Sequence, residues 1–258
     1  MIGAIVGDIV GSRFEFNNHK SKQFELFTDN CFFTDDTVMT LAVAKSLINY
    51  EDVASNLKFF GKIYPNRGYG GRFYKWLMSE DRKPYNSYGN GSAMRVSPVA
   101  YVAKTLDEVK VLSRQVTEVT HNHPEGIKGA ESVAVSIFLA RQGFSKEQIK
   151  DYVTREYYDI GFNLDSIRES YSFDETCQGS VPEALQAFFE SNNFEDAIRN
   201  AISIGGDSDT IAAITGSVAE AYYGVPEWID KKARTYLDGV VLRRTLERFE
   251  RWCEINNE

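Results

Sequence analysis

Apolar residues recur along this chain at intervals of three and four, the repeat that gathers side chains onto one face of an α-helix. Over residues 38–50 the stripe is Met39, Ala42, Val43, Leu47 and Tyr50, and Val38, Leu41 and Ala44 make the remaining faces apolar too. A helix of that kind belongs in the interior. Over residues 210–223 the positions Ile211, Ile214, Val218, Ala219 and Tyr222 repeat the pattern, with Gly224 and Pro226 standing where a helix stops. These two segments are the expected central helices. Others are expected over 106–119, 126–141, 146–155, 181–191, 194–204 and 236–252. No stretch alternates convincingly with the period of two that marks a half-buried strand, so the expected fold class is all-α.

Near the start, Gly3, Gly7 and Gly11 fall four apart and give one helix face three positions without side chains, which allows a neighbouring backbone to approach closely. Glycine weakens a helix by about 1 kcal/mol relative to alanine, so packing must offset it. The segment RGYGGRFYKW at 67–76 mixes glycine, arginine and aromatic residues. With no wider basic face around it, it reads as a packed loop leading into a helix rather than a nucleic-acid stacking platform.

Hydrophobic residues make up 43% of the chain, enough for a sizeable core, and no linker, low-complexity tract or repeat divides it. A single domain over 1–258 is expected. The net charge of -8, with Lys and Arg dispersed, excludes a basic stripe that could grip a phosphate backbone. Free nucleic acid is therefore not expected as a partner. Neither a membrane-length apolar run nor a basic leader appears, which makes a cytosolic monomer with no membrane contact the expectation. Cys31, Cys177 and Cys253 are odd in number and far apart, so they are read as reduced and structural.

Two short segments precede the two most apolar helices: Thr34-Asp35-Asp36-Thr37, and Asp207-Ser208-Asp209-Thr210 behind Gly205-Gly206. Each could simply cap its helix, since Asp, Ser and Thr accept the free N–H groups of a first turn. One cap needs one oxygen, however, and each segment offers two carboxylates with flanking hydroxyls. If both helices start side by side, four carboxylates converge, and hard oxygen donors select Mg2+, Mn2+ or Ca2+ over zinc. Asp8, among Gly and Ile on a buried helix, needs a partner or a cation nearby.

In order along the chain, GDIVGSRFE, FTDDT, YGNGSAMR, THNHPEG and GGDSDTIAAITGSVAEAYYG resemble the motif series of the ADP-ribosylglycohydrolases, spanning residues 2–224. The resemblance implies a compact orthogonal bundle of helices with a dinuclear centre, two divalent cations (Mg2+ or Mn2+), in a cleft. It also implies hydrolysis of the glycosidic bond between ADP-ribose and an acceptor, the partner being an ADP-ribosylated protein or a small ADP-ribosyl conjugate. By motif position, Thr34, Asp35, Asp36, Asp207, Asp209 and Thr210 correspond to metal ligands, and Asp8 and Glu15 border the same centre. Gly89, Asn90, Gly91, Ser92 and Met94 correspond to a loop that holds the pyrophosphate and distal ribose. His121 corresponds to a histidine near the phosphates, although it could equally be a satisfied loop histidine. Arg95 could pair with phosphate; a buried structural ion pair is the preferred reading.

For a bond at the anomeric carbon of ribose, the transition state gains oxocarbenium character, so the site must orient the sugar, supply water and assist the leaving group. Asp36 and Asp209 are candidate proton acceptors, and Glu15 is the candidate for leaving-group protonation or gating. A catalytically weak ADP-ribose reader or immunity-type module of the same fold is the alternative, and a helical protein with caps alone is a third.

Overall fold

The computed structural model describes residues 1–256, and every regular element among them is helical. The single pairing of strand type is an isolated bridge between Gly89 and Thr176. The all-α expectation is met.

The N-terminal helix α1 (Ile2–Gly11) is buried along its whole length. It runs antiparallel to the last of the central helices. Here α2 is Asp35–Asn49, α3 Val53–Ile63 and α4 Gly71–Met78, followed by a 3-10 turn at Asn90–Ser92. Then come α5 (Val99–Val102), α6 (Leu106–Thr117), α7 (Pro124–Arg141), α8 (Lys146–Glu156) and α9 (Leu164–Ile167). The chain closes with α10 (Cys177–Phe189), α11 (Phe194–Ser203), α12 (Ser208–Tyr223), α13 (Glu227–Arg234) and α14 (Val240–Asn256).

The glycine face of α1 lies on α12. A Cβ at Gly3 or Gly7 would overlap the carbonyl oxygens of Gly216 and Ala212, and one at Gly11 would stand 2.5 Å from the Asp209 Cα. Contact this close recovers in packing what the glycines cost in helix propensity. It also ties the end of α1, just before Glu15, to the start of α12. Around this pair, α7, α10 and α11 pack on α12, and α2 packs on both α1 and α12. The two helices expected to be central are buried along nearly their whole length, apart from the C-terminal turn of each.

Several boundaries differ from expectation. Helix α10 begins four residues before the expected 181, because Thr176 accepts a bond from the Gly179 N–H and caps an earlier turn. The helix expected over 236–252 starts four residues later, as α14 at Val240, and runs on to Asn256. Gly239 passes so close to Tyr64 that a Cβ there would overlap the phenol oxygen, and the chain turns at that point. Helices α3, α5, α9 and α13 lie outside the expected set, and segment 67–76 is a loop over 67–70 followed by the first turns of α4, in line with the loop leading into a helix that its composition indicated.

Candidate active site

Helices α1, α2 and α12 bring the acidic segments together. At the start of α2, the Thr34 hydroxyl accepts from the Asp36 N–H and so does the capping. Asp35 and Asp36 are left free for other work. At the start of α12, Asp207 occupies the cap position without making a side-chain cap bond. Instead its Oδ2 accepts from Asn90 Nδ2 at 2.7 Å. Capping therefore accounts for neither acidic pair.

Two groups of carboxylates result, and they share a member. Asp8, Asp36 and Asp209 form one; Glu15, Asp207 and Asp209 form the other, each with its oxygens within 4.8 Å of one another. Burial, aided by the charges of Asp209, Asp8, Asp35 and Asp207, pushes the Asp36 carboxyl well above its ordinary range. Asp209 rises likewise through burial and the charges of Asp207 and Asp8. Burial next to Asp209 and Asp8 takes Glu15 to about 8, and burial takes Asp207 to about 6. One oxygen each of Asp36 and Asp209 is buried with no hydrogen-bond partner. Buried carboxylate oxygens left bare beside other carboxylates are the donor set of a hard divalent cation, so these residues fit the implied centre.

Asp8 has a different environment. Its carboxylate accepts from the Thr34 N–H at 2.9 Å, the Thr34 hydroxyl at 2.7 Å, the Thr37 N–H at 3.1 Å and the Thr37 hydroxyl. It is fully buried beneath the acidic floor, anchors α2 on α1, and is raised to about 6 by burial that outweighs these bonds. Thr34 serves as cap and as Asp8 partner. Thr210 donates to Asp36 Oδ2 at 3.2 Å.

The acidic floor opens into a cavity of about 530 Å3. Gly89, Asn90, Gly91, Met94 and His121 line its wall, as do Asp35, Asp36, Asp207, Asp209, Thr210 and Glu15. Ser92 does not. Its side chain is fully buried and donates to the Gly126 carbonyl at 2.8 Å, which fixes the 3-10 turn to α7. Asp8 and Thr34 likewise sit behind the wall rather than on it.

His121 is buried with Nδ1 2.7 Å from Thr120 Oγ1, and Arg95 donates to that same oxygen at 2.8 Å. Arginine can only donate, so the Thr120 hydroxyl accepts from Arg95 and is shared with Nδ1, which leaves Nε2 as the ring nitrogen free of the threonine. That nitrogen faces the glycine loop, 3.5 Å from where a Cβ on Gly91 would lie. Burial and the charges of Arg95 and Arg72 hold His121 well below its ordinary pKa, so it is neutral. The structure corrects the ion pair expected for Arg95: its guanidinium bonds Thr120 and the Val116 carbonyl and lies 5.5 Å from the Phe73 ring. No carboxylate among the described residues comes within ion-pair reach of it, and burial lowers it to about 10.

Several lining residues had no sequence signal of their own. Tyr85 and Ser87 precede the glycine motif that begins at Tyr88, while Phe173, Glu175 and Thr176 arrive on the segment before α10. The latter segment is stitched to the loop by bonds from Asn90 N–H to Glu175 O and from Cys177 N–H to Tyr88 O. Gly68, Gly70, Gly71 and Arg72 also line the cavity, Arg72 donating to the Tyr85 carbonyl at 2.6 Å, which gives the 67–76 segment a role beyond packing.

The family model described as ADP-ribosylglycohydrolase matches residues 1–255. ADP-ribosylhydrolase ARH3 of Mus musculus is 27% identical over 96% of this chain and 90% of its own length. The Gallus gallus protein of the same name is 30% identical, covering 76% of this chain and 72% of its own length. ADP-ribosylarginine hydrolase Tri1 of Pseudomonas putida is 28% identical over 90% of this chain and 73% of its own. A solved structure titled ADP-ribosylglycohydrolase-related protein complex shares the fold, with a TM-score of 0.67 at 22% identity over 95% of both chains.

Proposed function

The chain belongs to the ADP-ribosylglycohydrolase family, and from that premise we propose that it hydrolyses the glycosidic bond between ADP-ribose and an acceptor group with the help of two divalent cations, Mg2+ or Mn2+. The observation that carries this reading is the pair of acidic groups sharing Asp209, of which Asp36, Asp207, Asp209 and Glu15 line one cavity with Asp8 behind them. One cation would be held by Asp36 and Asp209 with Thr210, Asp35 and the Thr34–Asp8 pair beside them, the other by Asp207, Asp209 and Glu15. When bound, such ions supply Lewis-acid charge that orients vicinal sugar hydroxyls and restores the neighbouring carboxyls to their ionised form.

The protein's own groups do the rest. Gly89 and Gly91 let a ligand approach the backbone closely, and Nε2 of neutral His121 lies beside them, a donor to a phosphate oxygen in the tautomer that carries the proton there. Asn90 fixes the Asp207 carboxylate in one rotamer. Asp36 and Asp209, each with a bare oxygen, are the groups able to accept a proton from attacking water. Glu15, half-buried on the cavity wall beside Asp207 and Asp209, is the candidate for protonating the leaving acceptor or for gating when it is not engaged by a cation. Tyr85, Tyr88 and Phe173 offer the aromatic faces available to the adenine.

The relatives are named for ADP-ribosyl hydrolysis generally and, in one case, for the arginine linkage. The acceptor is therefore tested with a panel of arginine-, serine- and nucleobase-linked ADP-ribose, each with and without Mg2+ or Mn2+. Release of ADP-ribose from at least one substrate, dependent on the cation, is the expected result. No release from any of them would sink the hydrolase reading.

A further inference from the structure

The segment carrying Glu15 is joined to the segment carrying Asp207 through one side chain. Asn18 lies three residues beyond Glu15, and its Nδ2 donates to the carbonyls of Phe14 at 3.0 Å and Glu15 at 2.9 Å. The same amide grips the other segment. Nδ2 also donates to Gly206 O at 3.0 Å, and Oδ1 accepts from the Gly206 N–H at 2.8 Å. Gly206 is held at φ 79 immediately before Asp207, in the left-handed region that favours glycine. Both of its backbone polar groups are thus satisfied by one primary amide. A carboxylate could not donate to these carbonyls, and a hydroxyl has a single hydrogen to give. Lys20 reinforces the junction by donating to Ile204 O at 2.5 Å and Tyr171 O at 2.6 Å.

The two acidic groups differ in what holds them. Asp8, Asp36 and Asp209 stand on three helices packed directly together. Glu15 instead stands on a turn after α1, and the Asn18 amide is what fastens that turn to the residue before Asp207.

We propose that Asn18 is a positioning residue for the group formed by Glu15, Asp207 and Asp209, setting the affinity of one cation site while leaving the other alone. This rests on the reading of the acidic groups as cation sites. Asn18 is absent from the cavity wall and is exposed, so replacing it leaves the core intact.

The test uses the full chain with Asn18→Ala and Asn18→Asp, the latter keeping an acceptor for the Gly206 N–H but losing both donor hydrogens. Metal-free protein is titrated with Mn2+, free ion being read by electron paramagnetic resonance, and amide exchange is followed in the same samples. Wild type should bind two ions. Both variants should keep one site within twofold and weaken the other at least tenfold. Exchange should accelerate at least tenfold in 14–18 and 205–207 together, with 2–10 and 211–220 unchanged. If Ala does not fold, Asp alone decides. Variants binding both ions like wild type, or unchanged exchange in 205–207, would overturn the role of Asn18. A wild type that binds no Mn2+ would instead overturn the cation reading, and this proposal with it.

Discussion

Asp209→Asn tests the shared carboxylate most directly, because that residue belongs to both acidic groups and carries a bare buried oxygen. In the metal-free protein the carboxylate oxygens of each group lie within 4.8 Å. Two unit charges that far apart repel by about 3 kcal/mol at an effective dielectric constant of about 20. The folded protein limits this repulsion by taking up protons, with Asp8 and Asp207 at about 6 and Glu15 at about 8. These folded-state values lie above the ordinary carboxyl values of the unfolded chain. Between pH of about 4 and 8 the folded state therefore binds more protons, and the metal-free protein gains stability as pH falls through that window. The Asn variant keeps the shape and loses one charge. At pH 8 in EDTA it should be more stable than wild type by about 2–3 kcal/mol, a rise in Tm of roughly 5–10 °C. At pH 5 the gain should shrink to less than about 1 kcal/mol, because the neighbours are then protonated. Saturating Mg2+ should reverse the order, stabilising wild type by mass action and the variant little. Calorimetry at both pH values, in EDTA and in Mg2+, with turnover measured on the same preparations, reads every part of this. A variant with the wild-type pH slope, or with wild-type turnover at saturating Mg2+, refutes the reasoning.

Activity should vanish in EDTA and return with Mg2+ or Mn2+ but not with Zn2+ alone, since the donors are all hard oxygens; full hydrolysis after exhaustive chelation would count against the cation centre. Gly11→Ala sets a Cβ 2.5 Å from both the Ser208 carbonyl oxygen and the Asp209 Cα. Overpacking of this kind costs about 1–3 kcal/mol, of which better helix propensity returns about 1, and the displaced Asp209 should weaken Mn2+ binding too. An unaltered Tm and Mn2+ affinity would show that α1 and α12 have room to spare. Gly91→Leu grows a side chain toward His121 Nε2, where a Cβ already lies 3.5 Å away. It should abolish the rise in Tm that ADP-ribose gives wild type while Mn2+ still binds; a persisting ADP-ribose shift would locate the ligand elsewhere.

The helices were legible in the sequence because their signals are local. A stripe at three-and-four spacing, a capping Thr34, and Gly224 held at φ 74 after the last turn of α12 all act within a few residues. The five motifs in order made the family legible for the same reason, and the glycines of α1 foretold a close neighbour without naming it. Partners distant in the chain were not legible. The break before α14 depends on Tyr64, and the cavity wall around Tyr85, Phe173 and Glu175 exists only because the segment before α10 folds back onto the glycine loop. Arg95 was read as half of an ion pair, yet its partners are Thr120, Val116 and the Phe73 ring.

The acidic segments show the division between the two levels. Sequence alone determined that each offers more oxygen than a cap requires, which is a count of residue types. Whether that surplus meets in space is a matter of distance, and distance belongs to the packing of α1, α2 and α12. Only the folded chain decided that the Thr34 hydroxyl does the capping, that Asp207 turns to Asn90, that Asp8 anchors from beneath, and that Ser92 is spent on Gly126 while Gly91 faces the cavity. Each of these outcomes is a choice among hydrogen-bond partners, and a side chain can choose only among the groups that tertiary structure brings within about 3 Å of it.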